Sequence, residues 1–184
     1  MKFKFNEKKA AQAAAFVIAR HGGSFNYMHL IKILYMSDRR SLLERGVPIT
    51  GDRMVSMDQG PVLSMVLTLI SHEQWQKESA WFDLIERKAK YDVGLKQNAQ
   101  PLPPRDELSD YEVETLTQTD DVFGKMDKWD LVKYLHDNLP EWQDPNGSSI
   151  GIDPARILAK AGVPKHEIER LERAAAERLF LMSL

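Results

Sequence analysis

Residues 30–66 read LIKILYMSDRRSLLERGVPITGDRMVSMDQGPVLSMV. Leu30, Ile31, Leu34, Tyr35, Leu42 and Leu43 recur at the three-to-four-residue spacing that lines one face of a helix. Gly46 stops that pattern, glycine being the residue that closes a helix most readily in a left-handed conformation. Val47 to Gln59 then reads as a loop with extended character. Pro48 and Gly51 punctuate it, and Met54–Met57 forms a very short strand. Gly60-Pro61 predicts the opening of a third helix, because the missing proline N–H has no partner to lose at the first helical position. Val62, Leu63, Val66, Leu69 and Ile70 would be its buried face. The loop is rich in charged and polar residues but carries no metal, phosphate or nucleophile pattern. That combination predicts a helical domain shaped for protein recognition.

Working outward, Asn6 is placed to cap a first helix that runs to about His21, with Ala10, Ala13, Ala14, Val17 and Ile18 as its stripe and Gly22-Gly23 as its stop. Asn26 caps the helix of the quoted stretch. Alternation over residues 82–96 predicts a β-hairpin with its turn near Lys88–Lys90. Gln100-Pro101-Leu102-Pro103-Pro104 reads as extended linker. Ser109 and Glu112 form a capping box for a helix to about Phe123. Asp127 caps another, with Leu131, Val132 and Leu135 inward. Pro154 begins a short helix closed by Gly162, and Pro164 begins a long last one with Ile168, Leu171, Ala175, Leu179 and Met182 as its stripe. The expected fold is mainly α: a compact multi-helix domain with one small β-hairpin at about residues 82–96. Its helical domain is placed at residues 1–145, with a C-terminal helical extension at 146–184 packed on the same domain.

Bulk properties narrow the function. The chain has 184 residues, 43% hydrophobic and 28% charged, enough to bury about 70% of its unfolded surface without a covalent staple. It has no cysteine, which excludes disulfides and thiolate chemistry. A net charge of -2 argues against non-specific nucleic-acid binding, which needs an excess of Lys and Arg. No apolar run approaches the roughly 20 residues of a membrane span, and the N-terminus lacks the apolar run of a signal peptide. The expected location is cytoplasmic.

Five histidines stand at 21, 29, 72, 136 and 166 without zinc-binding spacing. No nucleophile elbow or phosphate-cradling glycine pattern occurs. No catalytic residue, metal or cofactor is assigned. Tyr35, Asp38, Arg39 and Arg40 have two readings. In one they anchor a partner; in the other, Asp38 or Asp52 pairs with Arg39 or Arg53 to hold the loop. His136 and Trp142 either mark a pocket or pack as rings with one nitrogen satisfied. The acids from Glu107 to Asp121 read as a solvated face or as a surface for a basic partner. The apolar tail from Leu179 to Leu184, and Trp75, Trp81, Trp129 and Trp142, read mostly as core; an exposed tail or Trp would be a docking or dimer surface.

Leu34-Tyr35-Met36-Ser37-Asp38-Arg39, then Gly46-Val47-Pro48-Ile49-Thr50-Gly51-Asp52, then Gly60-Pro61-Val62, resemble the signature of the Panacea domain, also called SocA-like. The likeness resumes at Leu108-Ser109 and Glu112, at Trp129-Asp130-Leu131-Val132, and at His136 and Glu141-Trp142. It covers about residues 25–145. The resemblance implies a helical antitoxin of a prokaryotic, phage-associated toxin–antitoxin system that binds its toxin directly. It also implies an alternative, a proteolysis adaptor that hands the toxin to an ATP-dependent protease. A small-molecule or nucleotide enzyme is the third reading. The family often has His before Gly-Pro; here Gln59 stands there. Tyr35, Asp38, Arg39, Asp52, Arg53, Gln59 and Trp142 are the expected partner-binding residues. Gly46, Pro48, Gly60, Pro61, Ser109, Glu112 and His136 are the expected structural motif. Homo-oligomerisation is left open, and no membrane or direct nucleic-acid contact is expected.

Overall fold

The computed structural model describes residues 1–71 and 79–183. His72 and Trp75 of the sequence analysis, and the last residue of the tail, lie outside them.

The first helix, α1 (Glu7–Arg20), starts where Asn6 accepts the Lys9 N–H at 3.0 Å. Five of its alanines, 10, 11, 13, 14 and 15, are fully buried, because α1 packs against several elements of the core and small side chains let its neighbours approach. Gln12 lies buried among them with both ends of its amide engaged: it donates to Asp106 at 2.8 Å and accepts from the Glu107 N–H at 2.9 Å. A strand, β1 (Ser24–Asn26), leads into α2 (Tyr27–Arg45), which Asn26 caps and Gly46 closes. Gly46 has φ +72, and a Cβ on it would lie 2.4 Å from Leu171 Cδ2. The glycine is therefore required chiefly by its conformation, and the end of the Leu171 side chain packs against it.

Beyond Gly46 the structure departs from the expectation. Met54–Met57 is a strand (β2) as expected, but Gly60–Leu63 is also a strand (β3), and the helix α3 begins only at Ser64 (Ser64–Ser71). Pro61 thus stands opposite Ser56 in an antiparallel pair rather than at a helix start. β3 is an edge strand, where a residue without an N–H is tolerated. The expected hairpin is displaced in the same way. Phe82 to Leu84 belong to a short helix, α4 (Ala80–Leu84), and only β4 (Ile85–Arg87) and β5 (Asp92–Leu95) pair.

The chain continues through α5 (Asp110–Phe123), α6 (Lys128–Asn138), β6 (Ile150–Gly151), α7 (Pro154–Lys160) and α8 (Lys165–Leu181). The Ser109–Glu112 capping box and the Asp127 cap are formed. Among the described residues there are two antiparallel three-stranded sheets, ordered β1-β5-β4 and β3-β2-β6. One hairpin therefore understates the strand content of a mostly helical fold. The core joins α1, α2, α5, both sheets and α7. Of the α8 stripe only Ala175 is fully buried, and Phe180, Leu181 and Met182 at its end are exposed rather than core. Trp81 is core, Trp142 is half-buried, and Trp129 is exposed.

Candidate functional site

The residues of the quoted stretch are drawn together, but most of them face inward. Asp38 lies in the second half of α2 and is fully buried. It accepts the Thr50 N–H at 2.9 Å and the Thr50 hydroxyl at 2.5 Å. Burial pushes its carboxyl up to about 7, against the pull of these two donors. Asp52, two residues beyond Thr50, sits at the start of α3. It accepts the N–H groups of Met65 at 3.0 Å and Val66 at 2.9 Å, and that of Arg53 at 2.6 Å. Here the carboxylate satisfies helix-start donors that have no intrahelical partner. Burial raises its pKa, and the three N–H groups hold it back. Neither aspartate pairs with Arg39 or Arg53. Asp38 is spent on the Thr50 N–H and hydroxyl and Asp52 on backbone N–H groups, because a buried carboxylate beside open donors is satisfied locally without bringing in a second charge.

Arg39 pairs instead with Glu141, beyond the end of α6. Its Nε donates to Oε1 at 2.6 Å and its second terminal nitrogen donates to Oε2 at 3.3 Å. The Tyr35 hydroxyl donates to the same Oε1 at 3.0 Å. Tyr35 and Glu141 are both buried. Glu141 is quoted above as part of a motif but not as a site residue; its partners lie about a hundred positions away, and nothing in local spacing points to them.

Trp142 follows directly. Its indole N–H donates to the Met57 carbonyl at 3.0 Å, and its ring stacks on His136 at 3.8 Å between centroids and 13° between planes. The packed-ring reading of this pair holds in geometry. One of the His136 nitrogens, Nε2, is buried with no hydrogen-bond partner. Burial, and then the charge of Lys32, lower the pKa of this ring.

Three inward anchors therefore hold the segment from Gly46 to Pro61: Asp38 on Thr50, Asp52 on α3, and Trp142 on Met57. Ser41 adds a fourth, its hydroxyl donating to the Val47 carbonyl at 2.7 Å. Tyr35, Asp38 and Asp52 are too buried to touch a partner at the surface. Pro48 is buried as well. Arg53, Asp58 and Gln59 remain exposed on the rim, with Arg39 and Trp142 partly so.

Beside the β2–β3 turn lies a cleft of about 230 Å³, lined by α2 residues including Met28, Ile31 and Lys32 and by Met57, Asp58, Gln59 and Gly60. Lys32 is 2% exposed. Its ammonium donates to the Pro61 carbonyl at 2.9 Å, and burial lowers its pKa to about 7. A lysine on an amphipathic helix reads as solvent-facing, which is why sequence reasoning passes over it. Among the described residues no group of three or more His, Asp or Glu is placed to hold a metal ion. Among them, too, no helix is long and apolar enough to cross a membrane.

No curated protein and no solved structure matches the chain. A family model, the antitoxin SocA-like Panacea domain, matches residues 30–143. That span runs from the start of the α2 stripe to the residue after Trp142 and takes in all three inward anchors. With more than half of its length matched, the chain belongs to the SocA-like antitoxin family, the Panacea domain family.

Proposed function

We propose that this protein is the antitoxin of a toxin–antitoxin pair and neutralises its toxin by binding it directly. The observation that carries the reading is the family match over residues 30–143. The geometry adds support. Buried carboxylates pin the Gly46–Pro61 segment from within and leave Arg53, Asp58 and Gln59 outward on a backbone of fixed course. Rigidly held loops make good recognition surfaces because little ordering remains to be done on binding. Stable neutralisation needs roughly 1,600 Å² of total interface, more than this rim alone presents, so neighbouring helix ends share the contact. No bond is made or broken by this chain in such a mechanism. Its setting is cytoplasmic.

The test is co-expression with the product of the adjacent gene. Rescue of growth together with a co-purifying complex is the expected result. Neither rescue nor a complex would overturn the proposal. Toxin half-life separates occlusion from delivery to a protease: an occluder leaves it unchanged, whereas an adaptor shortens it only when the ATP-dependent protease is present. Turnover of a nucleotide or other small molecule by the purified chain would favour an enzyme instead.

A further inference from the structure

We propose that the cleft between α2 and the β2–β3 turn is a binding site for a carboxylate carried on an apolar stem, with Lys32 as its counter-ion. The inference does not depend on the antitoxin reading.

Lys32 carries three donors and spends one of them on the Pro61 carbonyl. Among the described residues no carboxylate lies within ion-pair distance of its nitrogen, and burial lowers its pKa. A cation in this position is costly unless an anion joins it. Fastening Pro61 does not require a charge, since a neutral amide donor of similar length would serve.

A second observation points to the same place. The buried, partnerless Nε2 of His136 and the Lys32 ammonium both face Gly60. A Cβ on Gly60 would lie 3.2 Å from Lys32 Nζ and 3.6 Å from His136 Nε2. Gly60 has φ +90, so its backbone excludes a side chain there on conformational grounds too. Both nitrogens thus lie within 4 Å of one point beside Gly60, with hydrogen-bonding capacity to spare. A neutral His136 in its Nε2–H tautomer offers a donor without adding a second charge.

The lining selects the ligand. Met28, Ile31, Met57 and Val62 give apolar walls, which suit a hydrocarbon stem. The single lysine balances one negative charge. Asp58 stands on the same cleft with Oδ1 accepting the Gly147 N–H at 2.9 Å, and it opposes a dianion. A monoanionic carboxylate therefore fits better than a phosphate. It comes either from a free small acid or from an acidic side chain of a bound protein.

Binding must couple to protonation. The titratable groups around Lys32 are His136 from α6, which lies beside Gly60 with it, and Asp58 from the turn and Tyr27 from α2, which line the same cleft. Because burial places the free amine near pH 7, the competent, charged form shrinks above that pH. Affinity should fall about tenfold per pH unit above 7, and complex formation should take up a proton.

The experiment is NMR of the full chain with ¹³C-labelled methionine methyls and lysine side chains, titrated with hexanoate, hexanamide, inorganic phosphate and a blocked dipeptide amide, acetyl-Leu-Glu. Hexanoate or the dipeptide should shift the Met28 and Met57 methyls and move the Lys32 titration upward by at least one pH unit. Hexanamide should do neither. A response to hexanoate alone identifies a free acid as the source; a response to the dipeptide, alone or with hexanoate, identifies a protein side chain. Lys32→Gln keeps a donor for Pro61 and should abolish the response. If that variant does not fold, the Lys32 titration in the native chain decides alone. No shift with either carboxylate, or a stronger response to phosphate, overturns the proposal.

Discussion

Arg39 and Glu141 stand 102 positions apart in sequence and meet in a two-point ion pair whose shorter bond is 2.6 Å. The carboxylate is fully buried and the guanidinium partly exposed. The pair fastens the far end of α6 to the middle of α2, and Trp142 follows one residue later. Removing Arg39 leaves the buried Glu141 carboxylate without its charged partner, which costs about 3–5 kcal/mol. Arg39→Leu should therefore lower the melting temperature by roughly 6–20 °C for a chain of this size. Arg39→Leu combined with Glu141→Leu should recover much of that loss. Calorimetry on the two single variants and the double variant checks the coupling, and additive losses would contradict it.

Asp38 makes stability depend on pH in an unusual direction. Burial raises its carboxyl from 3.8 to about 7 in the folded chain. Between those values the unfolded chain has released a proton that the folded chain still holds, so this group's contribution to stability falls as pH rises from about 4 to about 7. An asparagine in its place would reproduce the protonated form in shape and bonding. The stability of Asp38→Asn relative to the native chain should thus improve across that window and level off above it. Urea melts at pH 4, 5.5, 7 and 8 give the difference; a gap that stays constant would show that folding leaves the acidity of Asp38 unchanged.

Gly46→Ala introduces a methyl at φ +72 and 2.4 Å from Leu171 Cδ2. The leucine end can shift, so the backbone conformation sets most of the cost, about 1–2 kcal/mol. The urea midpoint should fall accordingly with an unchanged slope. A native-like midpoint would mean that α2 ends without the left-handed residue.

The rim and the pins should separate in a binding assay. Arg53→Glu and Gln59→Lys change exposed side chains and should alter stability by no more than about 0.5 kcal/mol. On the antitoxin reading they weaken the complex with the neighbouring gene's product, chiefly through its association rate. Trp142→Ala should do the reverse: it loses the stack on His136 and the bond to Met57, so it should cost about 3 kcal/mol or more in stability. Isothermal titration alongside thermal melts distinguishes the two classes. Rim variants that bind normally would place the interface elsewhere.

The helices are the legible part of this fold. Asn6, Asn26, Ser109 with Glu112, and Asp127 each announce a helix start through a side-chain oxygen placed for an open N–H, and all four caps are formed. Strands are harder to read because their partners are distant or their runs are short. Gly60-Pro61 carries a local helix-start signal, yet pairing with Met54–Met57 outweighs it. Ile150-Gly151 is two residues long and shows no alternation at all. Phe82–Leu84 alternates for too few positions to exclude a helical turn, which it forms. The candidate site divides the same way. That Asp38 and Asp52 hold the loop is readable from charged residues flanking Pro48 and Gly51. Their partners are not, since Thr50 and the α3 backbone compete with arginine only in three dimensions. Lys32 escapes notice because helical spacing alone does not reveal that the β2–β3 turn folds over it.

The anchoring of residues 46–61 from beneath has an evolutionary consequence. Thr50, the α3 amides and the Met57 carbonyl set the path of the chain, so mutations at Arg53, Asp58 or Gln59 rewrite the outer face without disturbing that path. On the antitoxin reading, selection can then retarget such a scaffold one exposed side chain at a time, each intermediate remaining folded.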